Sequence, residues 1–492
     1  MLKKIVVSVL ALSVAASTVL FSCNSAPKTA DNTTAAPAAT TALVPATSAV
    51  IPFPHDTRDF GGATFNVLID TEPVNQLDVN DFQIEGQTGE ELNDAEFKRD
   101  TYVEETFNVQ LAEVHDKNIT STVPKLIKSG DATYDMLTPR LMNAATFAMN
   151  GYGVNVLNQS DLTLSAPWWD QNITKETSVG GTAYFLNGDI FTEGYDGASM
   201  MIFNKTILQN YGLESPYQYV ADNQWTMDNF NAECKPVTKD LNGDGKMSYK
   251  DDQYGLSTQA DYLSSMVNGS GQFFVTKDSN DLPVFNTAAD DQIQQIVNKM
   301  LDVYANYTYC IHRDANAASM SQFFVFPQGR ALYFWALTRY IGLGLRDMTD
   351  DFGIVPVPKW DSNQTSYYST MNAWHMYTVM IPKTVADPTK SAYLMDALAY
   401  YGRQDVTPAY YDDCLQRKYT RDNESAGMLD IIFSSTCYDL ARVYDFGTYM
   451  NTIEADMYKT NSVSIATEYA KLQTKIDSDI AKTISNFQTN AG

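Results

Sequence analysis

The chain has 492 residues, with 59 acidic against 34 basic side chains and a formal net charge of −25. A surface this acidic repels phosphate backbones, and no basic cluster with interleaved aromatics offsets it, which argues against a nucleic-acid partner. With no G-x-S-x-G, no H-E-x-x-H, no P-loop and only four histidines, the sequence also speaks against triad and metal-hydrolase chemistry.

At the N-terminus Lys3 and Lys4 precede the apolar run IVVSVLALSVAASTVL, which ends in LFSC at residues 20–23. The pattern resembles a bacterial lipoprotein signal over residues 1–22, in which cleavage before Cys23 leaves its thiol to carry a diacylglycerol. The competing reading is an uncleaved anchor, since the run is nearly long enough to span a bilayer. Either way the remainder is expected outside the cytoplasm, held at the cell membrane by lipid. Residues 1–22 hold two lysines and no acid, so their removal takes the charge from −25 to −27. Residues 23–54 are rich in Ala, Thr, Ser and Pro, too poor in large apolar groups to offset ordering entropy, and read as a tether. What remains is long enough for two or three domains, or two large lobes.

GATFNVLI alternates like a strand, and ELNDAEFKRDTYVEETFNVQLAEV reads as helix then strand. Leu92, Ala95, Tyr102, Val103 and Phe107 fall on one helical face, and the period switches at Asn108. A further helix ends at SGDATYDML, before an apolar strand. This alternation predicts an α/β fold with a mostly parallel sheet. Thr138 and Arg140 follow that strand, and strand C-terminal ends line the crevice of open α/β sheets. Trp168 and Trp169 stand beside Asp170 in PWWD; on an extended backbone two adjacent indoles cannot both point inward, so one is expected to face a cleft, the alternative being that both pack under the lobe surface.

Thr226 is a predicted N-cap, with Asp228 in the first turn, Phe230, Cys234 and Val237 as the buried stripe, and Pro236 ending the helix. DLNGDGKMSYKDD follows, with the spacing of an EF-hand calcium loop: Asp240, Asn242 and Asp244 at positions 1, 3 and 5, Gly245 at the reversal, the Lys246 carbonyl, Ser248 at 9 and Asp251 at 12. QYGLST after it reads as a strand, so a swinging second helix is absent from the pattern. The expectation is a structural Ca²⁺; the alternative is an Asn/Gly-rich turn that holds no metal. Cys234, Cys310, Cys414 and Cys437 allow three disulfide pairings, but their irregular spacing favours buried free thiols. In the last helix Ile465, Tyr469, Leu472, Ile476, Ile480, Ile484 and Phe487 recur every three or four residues, a core-facing stripe.

Taken together, NDAEFKRDTYVEETFNVQL, GDATYDML, APWWDQNI, GGTAYFLNGDI, MMIFNKTIL, NQWTMDNFNAECKPVTKDLNGDGKMSYKDDQYGLS, FPQGRALYF, DFGIVPVPKWD and MIPKTVADPTKSAYLMDAL resemble the extracellular solute-binding proteins of ABC transporters, family 1, the maltose-binding-protein-like class. The resemblance runs from about residue 60 to 440. It implies a periplasmic-binding-protein-like fold: two α/β lobes, hinge strands and a ligand cleft between them. By analogy lobe one spans 55–195 plus 355–405, and lobe two 196–354 plus 406–492. The calcium-like loop then stiffens a helix-to-strand connection in lobe two.

The same resemblance places Glu193, Tyr195 and Asp196 where the chain crosses between lobes, as partners for sugar hydroxyls. Gln259, Asp261 and Tyr262 form the matching lobe-two edge, Trp335 with Arg339 a stacking position, and Trp374 with His375 the returning segment. Trp360 is expected at a hinge or surface, and Trp225 in a structural role. The function implied is capture of a carbohydrate, an oligosaccharide by preference, and its delivery by a monomeric lipoprotein to ABC permease subunits. A lipid-anchored glycoside hydrolase, a receptor for a non-sugar solute, and a partner of a sensor kinase are the alternatives.

Overall fold

The computed structural model describes residues 51–71, 82, 86–259, 262–311, 322–345, 347–411, 422–460 and 462–490. Cys23 with the leader, nearly all of the tether, Asp261 and Cys414 lie outside the described residues. Packing starts at Phe53, one residue before the expected tether end. Phe53 lies 5.2 Å from Tyr400 and 5.6 Å from Tyr393 between ring centroids.

Asn108 is where the first helix becomes a strand, as its sequence pattern predicts. The helix Glu91–Phe107 ends because Asn108 takes φ 48, ψ 55, a left-handed cap that asparagine adopts more readily than most residues. Ala63–Asp70 (β1) pairs in parallel with Val109–Asp116 (β2) and, on its other side, with Met136–Thr138 (β3), giving the order β2-β1-β3. Phe65, Val67 and Ile69 on one face of β1 join a core with Phe107 and with Tyr393, Leu394 and Leu398 of the helix Pro388–Pro408. Leu68, on the opposite face, joins a second and larger core. Tyr102 departs from its predicted burial: it is 48% exposed and rests on Tyr401 at 4.5 Å.

The larger core surrounds a second sheet. Its strands are Ser199–Asn204 (β4), Tyr254–Ser257 (β5), Cys310–Ile311 (β8), Ala331–Leu337 (β9) and Phe352–Val355 (β10), in the order β10-β4-β9-β5-β8. Val275–Lys277 (β6) and Pro283–Phe285 (β7) form a separate hairpin, and Ser369–Thr370 (β11) pairs with Thr436–Cys437 (β12). Strand β4 is antiparallel to both of its neighbours, while β5 is parallel to β8 and β9. Every residue of β9 is buried, as expected of a strand covered on both faces.

Thr226 caps the helix Met227–Cys234 by accepting from the Asn229 amide, and the helix stops before Pro236, whose missing N–H and ring cannot continue it. Cys234, Cys310 and Cys437 are buried free thiols, each with its pKa pushed well up by burial. In the last helix, Ile465–Asn490, the predicted stripe packs inward: Ile465, Ile476 and Phe487 are buried and Tyr469, Leu472, Ile480 and Ile484 half-buried. Phe487 meets Tyr184 edge-on at 4.8 Å, and Asn486 donates to the Met149 carbonyl at 2.5 Å. The C-terminal helix therefore reaches the helix that follows β3 as well as the β6–β7 hairpin, where Tyr469 stacks on Phe285 at 4.5 Å. Among the described residues no helix is long and apolar enough to cross a membrane.

Candidate functional site

Both sheets present polar groups at the C-terminal ends of parallel strands, and residues 371–377 join those ends. The Asn372 amide donates to the Gly197 carbonyl (2.8 Å), and the Met376 carbonyl accepts from the Leu141 amide (2.9 Å). Just past β9, Thr338 donates through its amide to Ala198 (3.0 Å) and through its hydroxyl to the Tyr195 carbonyl (2.6 Å). The Arg339 amide reaches the Asp196 carbonyl at 3.3 Å. A continuous backbone network thus carries side chains of one sheet toward those of the other.

Along this seam Asp70, the last residue of β1, accepts from the Arg140 amide (3.2 Å) and from Asn143 Nδ2 (2.9 Å). The Arg140 guanidinium lies 3.9 Å from Asp70 Oδ1 and 5.3 Å from the Tyr377 ring centroid. Arg339 Nη1 donates to His375 Nδ1 at 2.9 Å. A guanidinium can only donate, so Nδ1 accepts and Nε2 carries the ring proton. Tyr410 donates to Asp196 Oδ1 at 3.1 Å. The result is a row of guanidinium, imidazole, phenol and carboxylate groups spanning both sheets. Rows of this kind suit a ligand dense in hydroxyls, since each group can trade its present contact for one to a hydroxyl.

A cavity of about 450 Å³ adjoins the same crossing segment and has among its walls Trp169, Asp170, Asp189, Tyr195, Arg403 and Phe433. Asp170 caps the helix Gln171–Thr177, accepting from the Asn172 and Ile173 amides (2.8 and 3.3 Å) and, on Oδ2, from Tyr438 (2.6 Å). Asp189 Oδ1 accepts from the hydroxyls of Tyr195 and Thr407. Among the described residues its Oδ2 makes no hydrogen bond and pairs with Arg403 Nη1 at 3.5 Å. Burial pushes both carboxyls up, and burial together with the Asp189 charge pushes the Tyr195 phenol well up.

For the tryptophan pair the alternative reading holds. Trp168 and Trp169 are both buried, at 2% and 3% exposure, and their indole N–H groups both donate to Asp396 Oδ1 (2.9 and 2.7 Å). The backbone turns there, so the alternation of an extended strand does not apply. Trp335 lies within β9, its indole donating to Ser199 Oγ (3.0 Å), and Tyr262 stacks on it at 5.5 Å. Gln259 donates to the Tyr340 hydroxyl at 3.3 Å. Glu193 sits in the 3₁₀ turn Thr192–Gly194, and Trp374 borders a small recess with Arg442 and Thr370. Trp360 is half-buried against the larger core, with Lys299 Nζ 3.8 Å from its ring centroid. Trp225 is structural: it is fully buried, with its indole donating to the Pro356 carbonyl (2.7 Å).

Of the predicted residues, the seam gathers Arg140, Asp196, Arg339 and His375, and the cavity gathers Trp168, Trp169 and Tyr195. Asp70, Asn143, Tyr377, Tyr410, Asp189 and Arg403 were not anticipated. Asp70 alone had a usable signal, since it ends a strand as Thr138 does.

In the calcium-like loop the side-chain oxygens turn onto the loop's own amides. Asp240 accepts from Gly243 and Gly245 (2.7 and 2.8 Å), Asn242 from Asp244 (2.9 Å) and Asp244 from Lys246 (2.8 Å). The side chain that ties the loop together is Asp252, one residue beyond the exposed Asp251; it is fully buried and accepts from Leu241 and Ser248 (2.8 and 2.7 Å). Among the described residues no group of three or more His, Cys, Asp or Glu side chains converges as a metal site.

No family model and no curated protein matches the sequence. Solved structures match its fold. The apo form of RafE from Streptococcus pneumoniae aligns with TM-score 0.53 and 12% identity over 88% of this chain and 99% of that one. The galacto-N-biose/lacto-N-biose I-binding protein of the Bifidobacterium longum ABC transporter, in complex with lacto-N-biose, aligns at 0.54 and 14% over 87% and 99%. A sugar transporter protein of Rhizobium etli, in an open conformation, aligns at 0.54 and 11% over 86% and 99%. The fold is therefore the periplasmic-binding-protein-like α/β fold of ABC sugar-binding proteins.

Proposed function

We propose that this chain is a family 1 solute receptor that binds a carbohydrate, an oligosaccharide by preference, and hands it to an ABC permease. The observation that carries the reading is the polar row from Arg140 to Arg339, which spans both sheets in a fold whose solved neighbours bind sugars. The lobe limits proposed are 55–195 plus 355–405 and 196–354 plus 406–492. A sugar bridging Arg140 on one lobe and Arg339 on the other favours the closed arrangement, because only differential affinity for that state moves the equilibrium. Lipid on Cys23 would hold a monomeric receptor at the outer face of the cell membrane, close to its permease. The reading involves no catalysis, so a glycan mixture is retained stoichiometrically and returned uncleaved.

Calorimetry of the leaderless chain against mono- and oligosaccharides tests it. A one-to-one sugar hit is expected, with thermal stability rising with free ligand as mass action requires. Arg339→Ala is expected to weaken that hit by about 10- to 100-fold, the worth of a charge-assisted hydrogen bond. Tyr410→Phe, which removes a hydroxyl and keeps the ring beside Tyr195, is expected to weaken it less. Tight binding of a peptide with no response to any sugar would sink the carbohydrate reading, and cleaved glycan products would favour the hydrolase.

For the loop at 240–251 we propose a structural Ca²⁺ held by Asp240, Asn242, Asp244, the Lys246 carbonyl, Ser248 and Asp251. Carboxylate and amide oxygens that accept one loop amide keep a second lone pair for a cation. Chelator is then expected to lower the melting temperature and added calcium to restore it. An unchanged melt in chelator would make the loop a metal-free turn closed by its own side chains and Asp252.

A further inference from the structure

We infer that the cavity beside the crossing segment is a second binding site, one that takes the vicinal diol of a small sugar or polyol. The inference does not depend on the seam as the transport site. Asp189 is 2% exposed and forms part of the cavity wall, and its Oδ2, which has no hydrogen bond among the described residues, pairs at 3.5 Å with Nη1 of Arg403, another wall residue. Adjacent hydroxyls meet such a pair directly: one donates to the carboxylate and its neighbour accepts from the guanidinium.

The rest of the wall asks for donors too. Gln171 spends its amide N–H groups on the carbonyls of Leu164 (2.7 Å), Ala166 (3.2 Å) and Trp169 (2.9 Å). Asn172 donates to the Thr436 carbonyl at 2.8 Å. Both amides therefore keep their oxygens for a ligand. An anion would meet the Asp189 charge and a simple cation the Arg403 charge, whereas a neutral polyol satisfies both. Phe433 and the indole edges supply apolar surface for ring C–H groups, and about 450 Å³ falls in the usual range for a small-molecule site.

The test uses the leaderless chain labelled with 5-fluorotryptophan, whose six indoles report separately. Trp168 and Trp169 report the cavity, with assignments from single Trp→Phe variants. Mannitol and maltose, which carry vicinal diols, are expected to move the Trp168 and Trp169 signals saturably, and 1,3-propanediol, which has none, is not. Arg403→Ala, at a side chain 47% exposed, should leave the fold intact. It is expected to weaken the response by about tenfold or more. Asp189→Asn, which keeps an acceptor for Tyr195 and Thr407, is expected to weaken it also.

The proposal is overturned if neither diol moves these signals, if 1,3-propanediol moves them equally, or if Arg403→Ala changes nothing. It is also overturned if Arg339→Ala abolishes the Trp168 and Trp169 response, because a single site at the seam would then explain both.

Discussion

Replacing Asp396 by alanine is expected to cost on the order of 4 kcal/mol of stability, since it strands several buried donors at once. Asp396 is fully buried in the helix Pro388–Pro408. Its Oδ1 accepts from the indoles of Trp168 (2.9 Å) and Trp169 (2.7 Å) and from the Thr163 amide (3.1 Å), and its Oδ2 meets His55 Nε2 at 2.9 Å. Each orphaned buried donor costs about 1–3 kcal/mol. Water entering the space left by the carboxyl recovers part of that, so the sum is not additive. Asp396→Asn keeps an acceptor oxygen for the indoles and is expected to lose about half as much.

A melt of the leaderless chain reads the difference, with a drop for Asp396→Ala of roughly 8 °C or more in the first transition. Because both indoles also wall the cavity, their fluorescence should shift red in the folded alanine variant. An alanine variant that melts with the wild type would show that Asp396 does not organise this corner.

This carboxylate also marks the boundary of what the sequence could tell. Elements with local causes were legible: the helix that yields to a strand at Asn108, the Thr226 cap, the stop before Pro236 and the stripe from Ile465 to Phe487 are each set by neighbours a few residues away. Arg140 was reached from its place after a strand end, whereas Asp196 and Arg339 were reached only through the family resemblance; the structure sets all three along the seam. The tryptophans were not legible. Their orientation is decided by an acceptor 227 and 228 residues further along, which local periodicity cannot see. Trp335 read as a stacking position and Tyr262 as part of the lobe-two edge, yet their faces are turned on one another. The cavity was hidden for the same reason, since Asp189 and its partners Arg403 and Thr407 meet only when a distant helix packs on the crossing segment.

Gly402 is what lets that helix approach, and Gly402→Ala is the second large effect expected. Helix propensity by itself predicts a gain of about 1 kcal/mol from removing a helical glycine. The packing predicts the opposite. A Cβ at Gly402 would stand 1.7 Å from the Asp189 carbonyl oxygen and 2.8 Å from its carbon, and these are backbone atoms with no rotamer to escape into. Relieving the overlap means moving the helix or the crossing segment, at a cost on the order of 3 kcal/mol that outweighs the propensity term.

The same movement would pull Arg403 and Thr407, which share a helical face, away from Asp189. The alanine variant should therefore lose stability and, wherever it still folds, the response of the cavity to diols. Gly427→Ala in the helix Asn423–Ser434 is the matched control, because a Cβ there meets nothing within 4 Å. It is expected to gain up to about 1 kcal/mol from propensity alone. If Gly402→Ala proved as stabilising as Gly427→Ala, the close approach would not be what seats Arg403 against Asp189.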